Sequence, residues 1–230
     1  MSWFLGFDAS TQSLGATVID TTSRRVVHSA SLNFEQDMPE YPCSQGVLPN
    51  PDPLVKHSDP LMWAAALDRL LSRLIDDDVD LSRVEGISGS GQQHGTVYLN
   101  ERFLTPSAWN NANGLAELVT PMLSRETAPI WMDSSTTEEC TEIAAAAGGR
   151  DVVQTCTGSP PIERFAGPQI RKFSKNEPDK YAKTAVIHLV SSFMASLLTG
   201  QSAAIDTGDG AGMNLMNLEH ETWDPVMLNA

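Results

Sequence analysis

The stretch SGSGQQHGTVYL, residues 88–99, combines glycines with side chains that can hold a ligand. Its glycines, Gly89, Gly91 and Gly95, resemble those of a dinucleotide-binding loop, which join a strand to the N-terminus of a helix. The residues after Gly95 favour a strand instead, so the context for dinucleotide binding is missing. The remaining interpretation is a strand–turn–strand in which small residues let the backbone approach a ligand closely.

Three side chains of this turn, Gln92, Gln93 and His94, offer both donors and acceptors of hydrogen bonds. Such a set suits a polyhydroxylated molecule, because each of its hydroxyls needs directional partners. The alternative is a tight turn in which His94 is purely structural. The spacing of the residues alone does not separate the two interpretations.

A second polar turn, GFDASTQS at residues 6–13, lies between two predicted strands. The carboxylate of Asp8 can hold a hydrated Mg²⁺, and the small hydroxyl-bearing residues after it can present backbone N–H groups to phosphate. The alternative is an ordinary hairpin turn in which Asp8 caps its own backbone. This motif alone also leaves both interpretations open.

The overall composition narrows the class of protein and its partners. The 230 residues are 41% apolar and carry a formal net charge of −14, which argues against a nucleic-acid partner because phosphate backbones are bound by Lys and Arg. No stretch approaches the roughly 20 apolar residues of a membrane span, and the first residues do not resemble a signal peptide. We therefore expect a cytoplasmic protein with no membrane partner. The three cysteines lack metal-ligand spacing, which indicates reduced thiols.

The apolar pattern predicts an α/β layered domain. A β-meander comes first, and the clearest helix follows it, capped by Asp59 with Pro60 at its first position. The proline-rich segment 39–53 between them is expected to lie over a surface or a site. The predicted strands are residues 3–7, 16–19, 25–34, 84–88, 96–99 and 184–190. The further predicted helices are residues 115–125, 136–147, 168–175 and 191–199.

Six segments occur in an order that resembles the N-terminal half of the carbohydrate kinases of the FGGY family. The combination of QQHG, WMDSST and ERFAG is specific, although no one of these motifs would be alone. Within the family, these motifs are most similar to those of animal xylulose kinases. The six segments are GFDASTQS, SGSGQQHG, WMDSST, TGSPPIERFAGPQIRKF, LVSSFMASLLTG and IDTGDGAGMNLMNLEHETW.

The resemblance implies a fold and a reaction. The fold is an actin-like ATPase (ribonuclease H-like) lobe, a mixed sheet flanked by helices, and residues 1–230 would form the sugar-binding N-terminal lobe. The reaction is transfer of the γ-phosphoryl group of ATP, with Mg²⁺, to D-xylulose, which gives D-xylulose 5-phosphate. Positioning and charge neutralisation account for most of the catalysis in such a transfer.

The resemblance also implies roles for individual residues. Without it, Arg164 would be interpreted as a surface residue paired with Glu163. The positions that match sugar contacts are His94, Gln93 and Arg164, and those that match the first phosphate-binding segment are Asp8, Ser10, Thr11 and Gln12, with Asp8 near the metal.

No residue of the chain matches the family's catalytic base, which belongs to a Gly-Asp-Asn motif of the second lobe. That C-terminal ATP-binding lobe is absent from these residues, so we expect no useful kinase activity from this fragment alone. Asp206 and Asp209 are interpreted as structural carboxylates that bind the N–H groups of their own turn.

Two other functions stay open, and one departure from the family favours the sugar-sensing domain. Gly15 stands where many relatives have a basic residue, so one phosphate-neutralising charge is missing. The alternatives are a kinase for another ketose or a polyol, and a non-catalytic sugar-sensing domain of the same fold.

Overall fold

The computed structural model describes residues 2–109 and 113–230. The strands are β1 (Trp3–Ala9), β2 (Ser13–Asp20), β3 (Arg25–Asn33), β4 (His57–Ser58), β5 (Val84–Gly91), β6 (Thr96–Leu99), β7 (Ala128–Pro129), β8 (Val186–Leu189), β9 (Met216–Asn217) and β10 (Thr222–Trp223). The α-helices are α1 (Phe34–Asp37), α2 (Pro60–Asp76), α3 (Leu115–Val119), α4 (Thr137–Ala146), α5 (Arg150–Thr157), α6 (Ala166–Asn176), α7 (Pro178–Tyr181), α8 (Val190–Thr199), α9 (Thr207–Ala211) and α10 (Pro225–Asn229). Short 3-10 turns cover Leu81–Arg83, Glu101–Leu104, Pro106–Trp109 and Thr120–Met122.

The central sheet is mixed, with the strand order β3-β2-β1-β5. The antiparallel pairing of β1, β2 and β3 confirms the predicted meander, and β5 joins β1 in parallel. Side chains of β1 alternate strictly, so that Trp3, Leu5, Phe7 and Ala9 are buried while the residues between them are exposed. The period of two therefore gives the sheet one face that packs and one that does not.

Helices α2 and α8 cover the packed face of this sheet. The side chain of Asp59 accepts a hydrogen bond from the N–H of Leu61 at 2.8 Å, and Pro60 occupies the first turn, as the sequence predicts. Burial of a leucine such as Leu67 or Leu70, both fully buried on α2, stabilises the fold by about 1.5–3 kcal/mol. Gly200, with a φ of 67°, ends α8 in the left-handed conformation that glycine adopts readily.

The structure differs from the prediction at a helix that ends early and at a helix that was not expected. The helix expected over 115–125 ends at Val119 and continues as a 3-10 turn, because Pro121 has no N–H for the helical ladder. Helix α5, Arg150–Thr157, was not predicted; among its eight residues only Val153 and Thr157 are buried, which leaves little apolar periodicity to detect. Among the described residues, no helix has the length and apolar character that a membrane span requires.

Candidate functional site

A polar groove of about 340 Å³ lies at the ends of two parallel strands. Strands β1 and β5 run in parallel, with Ala9 opposite Gly91. The polar turns that follow the two strands therefore lie at the same end of the sheet. Ligands of open α/β sheets bind at such carboxyl ends. The groove is lined by Asp8, Ser10, Thr11, Gly91, Gln92, Gln93, His94, Trp131 and Arg164.

The structure therefore brings six of the seven predicted site residues to one groove, and the exception is Gln12. Gln12 is exposed and does not line the groove; its carbonyl oxygen accepts a hydrogen bond from the N–H of Phe34 at 2.9 Å. His94 and Arg164 line the same groove although they are distant in the sequence. This convergence is a fact of the fold, whereas the roles of these residues remain predictions.

The first turn of the groove is closed by its own serines. The N–H and the hydroxyl of Ser10 both donate to the carbonyl oxygen of Ser13, each at 3.0 Å. The carboxylate of Asp8 accepts from the hydroxyl of Ser90 on β5 at 3.1 Å, rather than capping its own turn. Within the described chain, the backbone N–H groups of Thr11 and Gln12 donate no hydrogen bond. They are free to meet an anion.

A hydrogen-bond relay crosses the groove from Trp131 to Gln92. The indole Nε1 of Trp131 donates to Oγ1 of Thr11 at 2.8 Å, and that hydroxyl in turn donates to Oε1 of Gln92 at 3.3 Å. The amide Nε2 of Gln92 is buried and has no partner among the described residues, so it is a donor available to a ligand. Gln92 belongs to the polar set that the sequence indicates for a ligand, whereas Trp131 was not predicted as a site residue; the tryptophan in the family motif WMDSST was the signal that could have found it.

The proline-rich segment packs against the outside of the first turn. Gly46 has a φ of 80°, and a Cβ atom on it would lie only 1.8 Å from the carbonyl oxygen of Thr11. A glycine is needed here both for its left-handed backbone and for the close contact. The segment thus covers the turn from behind, in agreement with the expectation that it lies over a surface or a site.

The glycines of the second turn make room for another part of the chain. A Cβ on Gly91 would lie 2.6 Å from the backbone nitrogen of Ser191, and one on Gly95 would lie 2.8 Å from Cγ2 of Val190. Both neighbours belong to the start of α8. Gly91 also lines the groove, so the two glycines let the turn dock against a helix in addition to the close approach to a ligand that the sequence predicts.

His94 occupies a strained and well-defined position in this turn. Its φ of 65° lies in the left-handed region, which costs a residue with a side chain of order 1–3 kcal/mol. The ring Nδ1 lies 2.9 Å from the carbonyl oxygen of Gly212, and the ring of Phe165 lies 5.0 Å away. Burial lowers the pKa of His94, the contact with Gly212 opposes this, and the charge of Arg164 lowers it further. The imidazole is therefore neutral at pH 7.

Arg164 is exposed and extends into the groove without an ion-pair partner in the described part of the chain. The pairing with Glu163, considered from the sequence, is not formed: the carboxylate of Glu163 accepts from the hydroxyl of Thr137 at 3.2 Å. The five N–H donors of the guanidinium are thus left for a ligand.

A buried carboxylate, Asp133, holds the segments that carry Trp131 and Arg164. Asp133 is only 1% exposed. Burial raises its pKa, but hydrogen bonds to the carboxylate outweigh this effect and hold the pKa below its usual range. The donors are the N–H of Lys56 at 2.9 Å, the N–H and hydroxyl of Ser135 at 2.9 and 2.6 Å, and Nε2 of Gln169 at 2.7 Å.

The two aspartates of the glycine-rich segment 205–214 have different partners. Asp206 accepts from the N–H of Gly208 at 2.8 Å and caps α9, as predicted. For Asp209 the prediction was wrong, because its carboxylate accepts from the hydroxyl of Ser191 at the start of α8 rather than from its own turn. Neither aspartate lines the groove.

Comparison with known proteins gives relatives along the whole chain. Residues 124–230 match the FGGY family of carbohydrate kinases, N-terminal domain. Xylulose kinase 2 of Arabidopsis thaliana is 42% identical over 231 residues, which cover 100% of this chain and 41% of that protein. The xylulose kinase of Rattus norvegicus is 39% identical over 227 residues, 98% of this chain and 42% of its own. The chain thus spans about 40% of the length of such relatives.

Solved structures of kinases share the fold. A xylulose kinase from Rhodospirillum rubrum superimposes with a TM-score of 0.77 at 19% identity, over 98% of this chain and 40% of that one. A glycerol kinase from Plasmodium falciparum with ADP gives 0.74 at 22% identity, over 99% and 40%. The predicted fold class, an actin-like ATPase lobe with a mixed sheet flanked by helices, is confirmed. The chain belongs to the FGGY family of carbohydrate kinases.

Proposed function

We propose that residues 1–230 are the sugar-binding lobe of an ATP-dependent kinase that converts D-xylulose to D-xylulose 5-phosphate. The observation that carries the proposal is the convergence of His94 and Arg164 in one groove beside Asp8. Relatives at about 40% identity are named xylulose kinases, which favours this ketose over other sugars.

The sugar would be held by side chains of complementary chemistry. Arg164 has only donors, Gln93 offers a donor and an acceptor, and the neutral His94 offers Nε2, because its Nδ1 already contacts the carbonyl oxygen of Gly212. Trp131, 41% exposed in the groove, provides an apolar face for the carbon skeleton. A mixture of directional polar groups and one aromatic surface suits a small carbohydrate.

The phosphate side would use the turn after β1. The free N–H groups of Thr11 and Gln12 can bind phosphate oxygens, whereas the hydroxyls of Ser10 and Thr11 already donate within the protein. Asp8 is one accessible carboxylate, and no cluster of three metal-binding side chains occurs in the described residues. This fits Mg²⁺, which keeps several waters and binds through one or two carboxylates plus the phosphates of a nucleotide. When bound, the ion would neutralise phosphate charge.

The catalytic base and the adenine site would belong to a C-terminal lobe outside these 230 residues. Two facts support this: the chain spans about 40% of its relatives, and its sequence contains no Gly-Asp-Asn motif. We therefore expect this chain to bind D-xylulose but not to turn it over. We propose a cytoplasmic location, because the three cysteines are free thiols, which fits a reducing compartment.

One observation keeps a sugar-sensing domain as the second candidate. Gly15 lies directly opposite Asp8 in the sheet, and a Cβ on it would meet only the carbonyl oxygen of Asp8, at 4.0 Å. There is space for a larger side chain, so a basic residue would fit at this position. If Gly15→Arg in the longer protein creates kinase activity that the parent lacks, the sensing function is favoured.

Titration calorimetry with D-xylulose tests the proposal. His94→Ala and Arg164→Ala should each weaken binding by about ten- to a hundred-fold, since a lost hydrogen bond to a charged or buried group costs about 1.5–3 kcal/mol. Arg102→Ala, an exposed arginine away from the groove, is the matched control and should bind like the parent. Ribulose and glycerol, titrated in the same way, distinguish a xylulose site from that of another ketose or a polyol. Unchanged affinity in both groove variants would rule the site out.

A further inference from the structure

The glycine-rich segment 205–214 lies beside His94. The carbonyl oxygen of Gly212 lies 2.9 Å from Nδ1 of His94. A carbonyl oxygen can only accept a hydrogen bond, so Nδ1 must be the donor and carry the ring proton. We infer that Gly212 is a positioning residue, which fixes His94 in the Nδ1–H tautomer and leaves the lone pair of Nε2 for a ligand.

The lack of a side chain at position 212 supports this inference independently. Gly212 has a φ of −73° and a ψ of −4°, a conformation open to any residue, so the backbone does not require glycine here. A Cβ at this position, however, would lie 3.2 Å from Cε1 and 3.4 Å from Nδ1 of His94, and 3.3 Å from the carbonyl oxygen of Asp209. A larger residue would therefore displace the imidazole ring or the turn that carries the Gly212 carbonyl.

The contact between Gly212 and His94 is held in place from several sides. Asp206 caps the short helix α9, and Asp209 binds the hydroxyl of Ser191 at the start of α8. The next carbonyl, that of Met213, accepts from the N–H of Gly167 at 2.9 Å. The carbonyl that faces His94 is therefore part of a fixed frame and does not move freely with the ring.

Nε2 of His94 has no partner among the described residues, and His94 lines the groove. The charged groups that face the ring are Arg164 and Asp209, and burial together with Arg164 keeps the imidazole neutral. The ring therefore presents an acceptor, while Arg164 and Nε2 of Gln92 present only donors.

The acceptor at Nε2 of His94 and the donors at Arg164 and Gln92 bear on the substrate class, a step that rests on the proposed function. An α-hydroxy ketone has a carbonyl oxygen that only accepts, next to a hydroxyl that can donate. The carbonyl matches Arg164 and the hydroxyl matches Nε2 of His94. A polyol hydroxyl in place of the carbonyl can still accept from Arg164, but its own proton must then find an acceptor, so we expect the groove to favour ketoses over polyols.

Gly212→Ala tests the inference in the 230-residue chain. Long-range ¹⁵N–¹H NMR spectra report the tautomer of each histidine at pH 7.5, and His94→Ala identifies the signals of His94. In the parent, His94 should be in the Nδ1–H form. In Gly212→Ala it should shift toward the Nε2–H form that free imidazole prefers, with about ten-fold weaker binding of D-xylulose. Gly6→Ala, whose methyl group would meet only the carbonyl oxygen of Thr17 at 3.8 Å, should change neither property.

The outcomes separate this inference from the proposed function. An Nε2–H tautomer in the parent, or a tautomer and affinity that are both unchanged in Gly212→Ala, would overturn the role of Gly212. If the tautomer responds to Gly212→Ala but D-xylulose binds to neither protein, Gly212 positions His94 and the sugar assignment fails. Rescue of binding is not expected from Gly212→Ser, because its Cβ meets the same ring.

Discussion

The two sides of the groove are built in different ways. The strand-end side, residues 8–13 and 91–94, continues β1 and β5 and is fixed by the ladder of the central sheet. The loop side, Trp131, Arg164 and Gly212, comes from segments without regular pairing at those positions. It is held by a few hydrogen bonds, chiefly those to Asp133 and from His94. A site can thus combine a rigid edge of a sheet with side chains that depend on single polar contacts.

The largest effect is expected from removing the support of the loop side. Asp133→Ala leaves four donated hydrogen bonds without an acceptor, and the unfolding free energy should fall by about 3 kcal/mol. Urea unfolding measures this change. Asp179→Ala, which removes an exposed aspartate, serves as the control and should stay within about 0.5 kcal/mol. A fall of less than 1 kcal/mol in Asp133→Ala would mean that the loop side has other support.

Acid should destabilise the fold through two histidines, one of them beside the support of the loop side. His57, beside Asp133, and His188, on β8, have their pKa values lowered by burial to about 4. As the pH falls, these histidines take up protons in the unfolded chain, near pH 6.5, before they do so in the folded chain. The stability that is present above pH 6.5 is therefore lost as the pH falls toward 4.

We expect the unfolding free energy to fall by about 2–3 kcal/mol between pH 7 and pH 5, with partial exposure taken into account. Asp133 stays ionised in this window because its own pKa is lowered. Urea unfolding at the two pH values gives the answer, and equal stability at both would contradict the buried, neutral state of the two rings.

A methyl group on the strand-end side tests the docking of the second turn against α8. Gly91→Ala places a Cβ 2.6 Å from backbone of Ser191, and such overpacking should cost about 1–3 kcal/mol. Gly89→Ala in the same strand is the matched control, because its Cβ would lie 3.4 Å from the nearest atom. Thermal unfolding compares the two variants. Equal stability would show that the turn and α8 are not tightly packed.

The sequence predicted local elements better than the contacts between distant segments. The strand over 96–99 and the start of α2 agree with the structure, because alternation and capping are local signals. The pairing of Trp131 with Thr11 and the contact of Gly212 with His94 escaped prediction, since both depend on tertiary contacts between distant segments. Arg164 was found only through the family motif; its local sequence indicated an ion pair that the fold does not form.

The smallest effect is expected at the relay between the two sides. Trp131→Phe removes the donor to Thr11 but keeps an aromatic ring, and the unfolding free energy should fall by about 1 kcal/mol or less. Trp223→Phe is a close control, because Trp223 is 42% exposed against 41% for Trp131 and its indole N–H has no partner in the described chain. A larger fall for Trp223→Phe would contradict the importance of the relay.

The central claim is that both sides of the groove bind one ketose. A crystal structure of the chain with D-xylulose tests this claim most directly. The sugar should lie in the groove beside Asp8, with one oxygen within hydrogen-bond distance of Arg164 and a hydroxyl next to Nε2 of His94. Electron density for the sugar at another surface, with the groove empty, would contradict the claim.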